Sequence, residues 1–415
     1  MEPSPVYAGP KPPIPEPLRG SDEETFAYPT LQTRLGNIAR RVLVENQFPP
    51  VLVERVETLI ADLPHGAVRY LEDGDAPDET DWRSYVAPHI GLAWIQTPWF
   101  FAEAYFYRRL LEATGYFSAG PGQGVDPFEL QKRLGLDASQ EAISGLCARL
   151  ETWQQQDHPL EEALDSLIRA NLWSNQIDLS MWPVDAGERS EHPGNHPGGS
   201  HLLIDEVASI LAYLSGEVVL GGRVDILVDN AGFELVSDLA LADLLLGRRI
   251  AGAVQLHLKA HPVYVSDAMV KDVQATLDFL AARKESGVRR LAGRLRSNLS
   301  AGRLLLQDDF FWNSPLSLWE MPASLRALLA ESILLISKGD ANYRRMVGDR
   351  FWPFDTPFRD ILRYSPVPLA ALRAVKSDVL TGLLPGQVEA LSEEQPGWMI
   401  SGRWAVVQFY AGNSG

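Results

Sequence analysis

Through most of the first 180 residues apolar side chains recur three and four positions apart, the period of a helix that buries one face. TLQTRLGNIARRVLVENQ and VLVERVETLIADL both follow it. Thr97-Pro98 then opens WFFAEAYFYRRLLEATGYF, with Pro98 expected at a first helical position and Gly115 as the stop. DPFELQKRLGL, SQEAISGLCARLETWQQQ and PLEEALDSLIRANLWSNQIDLS continue the period, so this region is predicted to be nearly all helical. The weakly charged stretch from Ile90 to Tyr107 is interrupted by Gln96, Thr97 and Pro98 and carries Glu103. It reads as a buried helix rather than a membrane span.

The pattern breaks at GERSEHPGNHPGGSH, where glycine, proline and polar residues crowd together as in a loop. Its His192, His196 and His201 match no zinc-ligand spacing. Beyond it, apolar runs alternate with helical segments. RVDILVDN precedes ELVSDLALADLLLG, AVQLHLK leads through HPVYVSD into AMVKDVQATLDFLAARK, and SILLISKGD and WAVVQFY follow. Continuous apolar strands separated by helices indicate a mostly parallel sheet covered on both faces. The expected fold class is therefore α/β. The expected organisation is a Pro-rich leader over residues 1–20, a helical region over 21–184, a linker over 185–201 and an α/β domain over 202–415.

Composition narrows the function classes. Of 415 residues, 46% are hydrophobic and 22% charged, which excludes a disordered or low-complexity chain. A formal charge of -17 argues against a sequence-independent nucleic-acid binder, which needs a cationic face. The N-terminus shows no basic segment leading into an apolar one, so no secretion signal is expected. The single cysteine, Cys147, lies among apolar positions, so a buried inert thiol in a reducing, cytoplasmic compartment is expected. Neither membrane nor nucleic acid is an expected partner, and the oligomeric state is left open.

Candidate chemistry gathers after the linker. Asp229 in ILVDNAGFE, Asp267 in VYVSDAM and Asp340 in LLISKGDANYR each follow an apolar run read as a strand. In open α/β sheets ligands sit beyond the carboxyl ends of the strands. Carboxylates gathered there repel one another unless a cation shares the site, and with the Asn230 carbonyl they suit a hard divalent ion. A single such aspartate would usually be only a turn residue. The window from Glu331 to Leu380 holds eight Lys and Arg against six Asp and Glu, a positive island in an acidic chain. Lys338 and Arg344 flank Asp340, and Arg373 and Lys376 would share a face if LRAVKSD were helical. Such groups can clamp a phosphate. Arg345 and Arg350 are expected on a solvated face.

These segments resemble the damage-control phosphatase family, in its sugar-phosphate subgroup that also bears the name acidic residue methyltransferase. The likeness is carried in order by PLRGSDEETFAY, TPWFFAEAYFYRR, LWSNQIDLS, ILVDNAGFELVSDLALADLLL, VYVSDAM, KGDANYRRMVGDRFW and LRAVKSDVLTGLLPGQ, from about Pro15 to the C-terminus. It implies a helical N-terminal region followed by an αβα sandwich with a Rossmann-like sheet, and a divalent metal such as Mn, Co, Ni or Mg. By motif, Asp229, Asn230 and Asp267 resemble the metal-binding catalytic residues and Glu234 a further site residue. Asp340, Asn342, Tyr343, Arg344 and Lys376 resemble contacts to a small sugar phosphate. Asn175 and Asp178 match a family motif without an assigned role. The subgroup's Arg-Thr-x-Lys signature appears here as Arg373-Ala374-Val375-Lys376, without the hydroxyl.

The expected activity is metal-dependent hydrolysis of phosphomonoesters of small sugar phosphates, such as fructose phosphates. Carboxyl methylation by S-adenosylmethionine is the competing enzyme class, although the turn at Asp229 lacks a Gly-rich cofactor loop. A non-catalytic sugar-phosphate binder is the third.

Overall fold

The computed structural model describes residues 9–174, 201–216 and 221–412. The linker with His192 and His196, together with Asn175 and Asp178, lies outside these residues.

Seven strands among the described residues form one sheet: β1 (Leu202–Asp205), β2 (Arg223–Leu227), β3 (Ala253–Lys259), β4 (Leu304–Asp309), β5 (Ser332–Lys338), β6 (Leu369–Ala374) and β7 (Ala405–Tyr410). Their order is β1-β7-β6-β5-β2-β3-β4. The strands β2 to β6 run parallel, whereas β7 is antiparallel to β6 and β1 is parallel to β7. From β2 the chain steps outward to β3 and β4, then returns to pair β5 against the other edge of β2. That reversal makes the β2/β5 boundary a topological switch point, where a crevice opens beyond the carboxyl ends.

Four of these strands were legible as apolar runs; β1, β4 and β6 were not. The edge strand β4 is only partly buried and ends in Gln307, Asp308 and Asp309. In β6, LAALRA has the leucine and alanine content of a helix, but all six residues are buried between two strands. Tertiary burial overrides propensity there. LRAVKSD is accordingly not a helix, and Arg373 and Lys376 do not share a helical face.

The N-terminal helices form as expected, among them Leu35–Glu45, Pro50–Asp62, Trp99–Thr114, Glu129–Ala138, Gln140–Trp153 and Leu160–Trp173. The apolar stretch from Ile90 becomes helical only at Trp99, with Pro98 one residue outside and Gly115 closing the helix at φ 73°. Side chains from successive sheet positions enter opposite cores, as the two-residue period of a strand requires. Leu335, Leu369 and Ala371 join Trp99, Phe106 and Val42 on one side. Leu334, Ile336, Ala370 and Leu372 join Leu164, Leu167 and Leu239 on the other. The result is a helix–sheet–helix sandwich. In the leader, Pro17 bridges to Arg350 and Arg19 to Pro98. None of the described helices is long and apolar enough to cross a membrane. Cys147 is buried, and burial pushes its thiol up to about 12, consistent with an inert side chain.

Candidate active site

Two helices begin at the switch point. After β2 the chain runs through Asp229 and Asn230, turns at Gly232 (φ 79°, ψ -142°) and enters the helix Phe233–Gly247. After β5 it turns at Gly339 (φ 85°) and enters the helix Asp340–Val347. Each helix directs unpaired backbone N–H groups and the positive end of its dipole toward the crevice, which favours an anion.

Asp267 arrives from a third direction. VYVSDAM is not a strand but part of the loop that follows β3, with Tyr264 at φ 49° and Val265 at φ 69°. Such angles are costly for a β-branched residue, so the loop must be held by its surroundings. Ala231 N donates to Ser266 O at 2.7 Å, Ala268 N to Asp229 O at 2.8 Å and Lys259 N to Ala268 O at 3.0 Å. These bonds sew the loop to the ends of β2 and β3 and bring Asp267 opposite Asn230.

Asp229, Asp267 and Glu234 are therefore buried close together, at 6%, 2% and 5% exposure. Burial pushes the Asp229 carboxyl well above its ordinary range, and the charges of Asp267 and Glu234 push it further. Burial likewise raises Asp267, against the opposing effect of Lys259. Asp267 Oδ2 has no hydrogen-bond partner, and Lys259 Nζ stands 3.4 Å from it. The Asn230 amide donates to Asp229 Oδ2 at 2.7 Å and to Glu234 Oε2 at 2.9 Å, while its Oδ1 accepts from Ser266 Oγ at 2.5 Å. An orphaned carboxylate oxygen, mutual repulsion and a neighbouring amide carbonyl fit a hard divalent cation. For Asn230 to offer its oxygen to such an ion its amide would have to flip, leaving the nitrogen to donate to Ser266.

The cationic residues separate into two groups. Lys376, half-buried two residues past β6, lines a narrow cleft with Glu234, Lys338, Gly339, Asp340 and Leu172. Asp340 Oδ1 forms one wall, accepting from Arg373 Nε at 2.9 Å, Lys376 N at 3.2 Å and Ser377 Oγ at 3.2 Å. The other predicted contacts have their side chains engaged in the interior. Lys338 donates to Asp238 at 2.9 Å and Glu234 at 3.3 Å. The Asn342 amide donates to the carbonyls of Lys338 and Val228. Tyr343 is core, donating to Gln408 and stacking on Phe358. Arg344 is gripped by Asp349 at 2.7 and 3.0 Å and by Glu103 at 2.6 Å, flat over Trp99. Arg373 is fully buried, bonded to Asp340 and Ser377. Arg345, expected on a solvated face, is 1% exposed and donates to three main-chain carbonyls beneath the helix.

Residues 28–391 match the damage-control phosphatase ARMT1-like domain. The chain belongs to the damage-control phosphatase ARMT1-like family. It is 35% identical over 333 residues to the damage-control phosphatase ARMT1 of Xenopus tropicalis, covering 76% of this chain and 75% of that one. With the Danio rerio protein of the same name it shares 32% identity over 439 residues, covering 95% and 97%. A DUF89 family protein from Pyrococcus horikoshii of known crystal structure is similar at 13% identity and a TM-score of 0.46, covering 87% of this chain and 97% of that one.

Membership in the damage-control phosphatase ARMT1-like family makes the protein a phosphatase, with a metabolite-repair role and a small phosphorylated substrate, and suggests a divalent metal. A second carboxylate group, Asp126, Glu129 and Asp272, brings oxygens within 4.8 Å of one another, close enough to share an ion. Lys132 already lies 3.0 Å from Asp126 and 2.8 Å from Asp272, and Lys271 3.0 Å from Asp126, so ammonium groups compensate this charge. Lys259, Asp238 and Glu103 also shape the site, through ion pairs with Asp267, Lys338 and Arg344 that no sequence motif marks. Lys259 and Asp238 sit within apolar runs, where a lone charge was the only available signal, and Glu103 gave none beyond interrupting an apolar helix.

Proposed function

We propose that this phosphatase hydrolyses phosphomonoesters of small sugar phosphates, such as fructose phosphates, with Asp229, Asn230 and Asp267 holding a divalent metal. What supports the reading is the gathering of Asp229, Asn230 and Asp267 beyond β2, with the Lys376 charge acting on Asp229, beside two helix N-termini at the β2/β5 switch point. When bound, a divalent ion supplies Lewis-acid neutralisation of phosphate oxygens. Lys376 adds a point charge from the opposite wall, and the helix N-termini add backbone donors. Local cations of this kind are needed, because a chain of net charge -17 repels an anionic substrate at long range.

Asp340 is the wall residue suited to a sugar hydroxyl, since Arg373 and the Lys376 backbone hold its carboxylate in place. The Arg373 guanidinium beside it keeps that carboxyl below its usual range despite burial, so it accepts rather than donates. Asn342, Tyr343, Arg344 and Arg373 support this wall from behind, and Lys338, paired with Asp238 and Glu234, lines the cleft beside it. The absent hydroxyl at Ala374 leaves the wall intact, since Ser377 Oγ reaches the same Asp340 oxygen.

Purified protein should release phosphate from hexose and pentose phosphates with Mn²⁺, Co²⁺, Ni²⁺ or Mg²⁺, and lose that activity with chelator. Full activity in Asp229→Ala or Asp267→Ala would refute the site assignment. Metal-independent binding of S-adenosylmethionine in calorimetry would instead favour the methyltransferase reading.

A further inference from the structure

Lys259, the last residue of β3, is 2% exposed, and its ammonium group has an unusual set of neighbours. It donates to the Trp312 carbonyl at 3.0 Å and reaches Asn342 Oδ1 at 3.4 Å, both neutral acceptors. Asp267 Oδ2 lies 3.4 Å away, and Asp229 is within range of its charge. The other buried lysines of this region are committed to carboxylates at 3.0 Å or less: Lys338 to Asp238 and Lys132 to Asp126 and Asp272. Lys259 alone among these three makes its shortest contact with a neutral group, the Trp312 carbonyl, an anchor that remains when Asp229 and Asp267 are neutralised by something else.

We propose that Lys259 is a built-in counter-ion for Asp267 and Asp229, a positioning residue that keeps the two carboxylates gathered between metal-loading events and limits how tightly a divalent ion binds. The inference rests on the reading of Asp229, Asn230 and Asp267 as metal ligands. Two buried carboxylates without a cation repel each other, and the loop carrying Asp267 already holds Tyr264 and Val265 at positive φ. A fixed positive charge offsets that repulsion in the metal-free protein. The same charge repels an arriving divalent ion, because like charges interact strongly at short range in a dry interior. The two cations are thus antagonists at one site, and their coupling is reciprocal.

The test compares wild type, Lys259→Met and Lys259→Gln by Mn²⁺ calorimetry and by thermal unfolding with and without Mn²⁺, with Asp267→Asn as the control. The glutamine variant keeps a donor for the Trp312 carbonyl. Both Lys259 variants should bind Mn²⁺ at least about ten-fold more tightly, melt lower without it and gain more from its addition. A residue serving only to support the loop would weaken metal binding when removed. Equal or weaker Mn²⁺ affinity in both variants overturns the proposal, as does failure of both to fold in saturating Mn²⁺. If wild type and Asp267→Asn bind Mn²⁺ alike, the ligand assignment itself fails and takes the inference with it.

Discussion

Gly339 runs so close to Asp229 that a Cβ built on it would lie 2.0 Å from Asp229 Oδ2 and 2.2 Å from its Cγ. The residue also sits at φ 85°, where side chains are strained. The two sides of the switch point are pressed together here, and the missing side chain is what lets the Asp229 carboxylate occupy the mouth of the crevice.

Gly339→Ala should therefore displace Asp229 as well as strain the turn. A shift of about 1 Å in a reacting group can cost roughly 100-fold in rate. We expect a loss of kcat of that order with a stability loss of only about 1–3 kcal/mol. Steady-state kinetics and thermal unfolding on the same preparation check both, and a variant that keeps wild-type kcat would separate Gly339 from the site.

Asp229→Asn should trade activity for stability. Burial and the charges of Asp267 and Glu234 raise the Asp229 carboxyl well above its usual range, so its ionised form destabilises the metal-free fold at neutral pH. A neutral amide of the same shape relieves the repulsion. We expect a gain in stability in chelator, read as a higher denaturation midpoint than wild type. Phosphate release should fall to background. Denaturant melts with EDTA distinguish this from ordinary damage, which would lower stability.

Arg344 and Lys376 should respond in opposite ways. Arg344→Met leaves Glu103 and Asp349 buried without their cation, a change that typically costs about 3–5 kcal/mol. Its damage should appear in unfolding. Lys376→Met removes a half-buried cation at the cleft and should raise KM for a sugar phosphate about ten-fold or more, with a melting temperature near wild type. An unchanged KM in Lys376→Met would remove it from the substrate wall.

The contrast between those two residues marks what the sequence made legible. β2, β3 and β5 announced themselves as apolar runs ending in charge, and Asp229, Asn230 and Asp340 could be placed at strand ends from that pattern alone. Asp267 was brought to the site by a loop held in positive φ, not by the strand that VYVSDAM suggested. A one-dimensional pattern carries no record of such a backbone. Charge was visible at Arg344, but its partner Glu103 is 241 residues away, and only folding shows that the pair joins a helix of the N-terminal region to the helix after β5. β6 was misread for a related reason, because leucine and alanine favour helix until two strands claim both their edges.

Acid stability supplies a test of a buried network in the helical region. Arg108, fully buried, grips Asp78 through Nε and Nη2, each at 2.9 Å, and Asp73 at 2.7 and 3.0 Å. Burial alone would raise the Asp78 carboxyl. The His261 ring 3.6 Å away, together with the hydrogen bonds and charge of Arg108, outweighs it, and the carboxyl falls from 3.8 to about 2. A depressed folded-state value means that the unfolded chain binds the proton more readily. The stabilisation is then fully present above about pH 4 and is lost as pH falls through 2, with a total of roughly 2 kcal/mol. Asp78→Asn should abolish this component. The stability difference between wild type and variant, measured by urea unfolding at steps from pH 5 to pH 2, should shrink as the solution is acidified. A difference that stays constant over that range would mean that the Asp78 carboxylate takes no charge-dependent part in holding the helical region together.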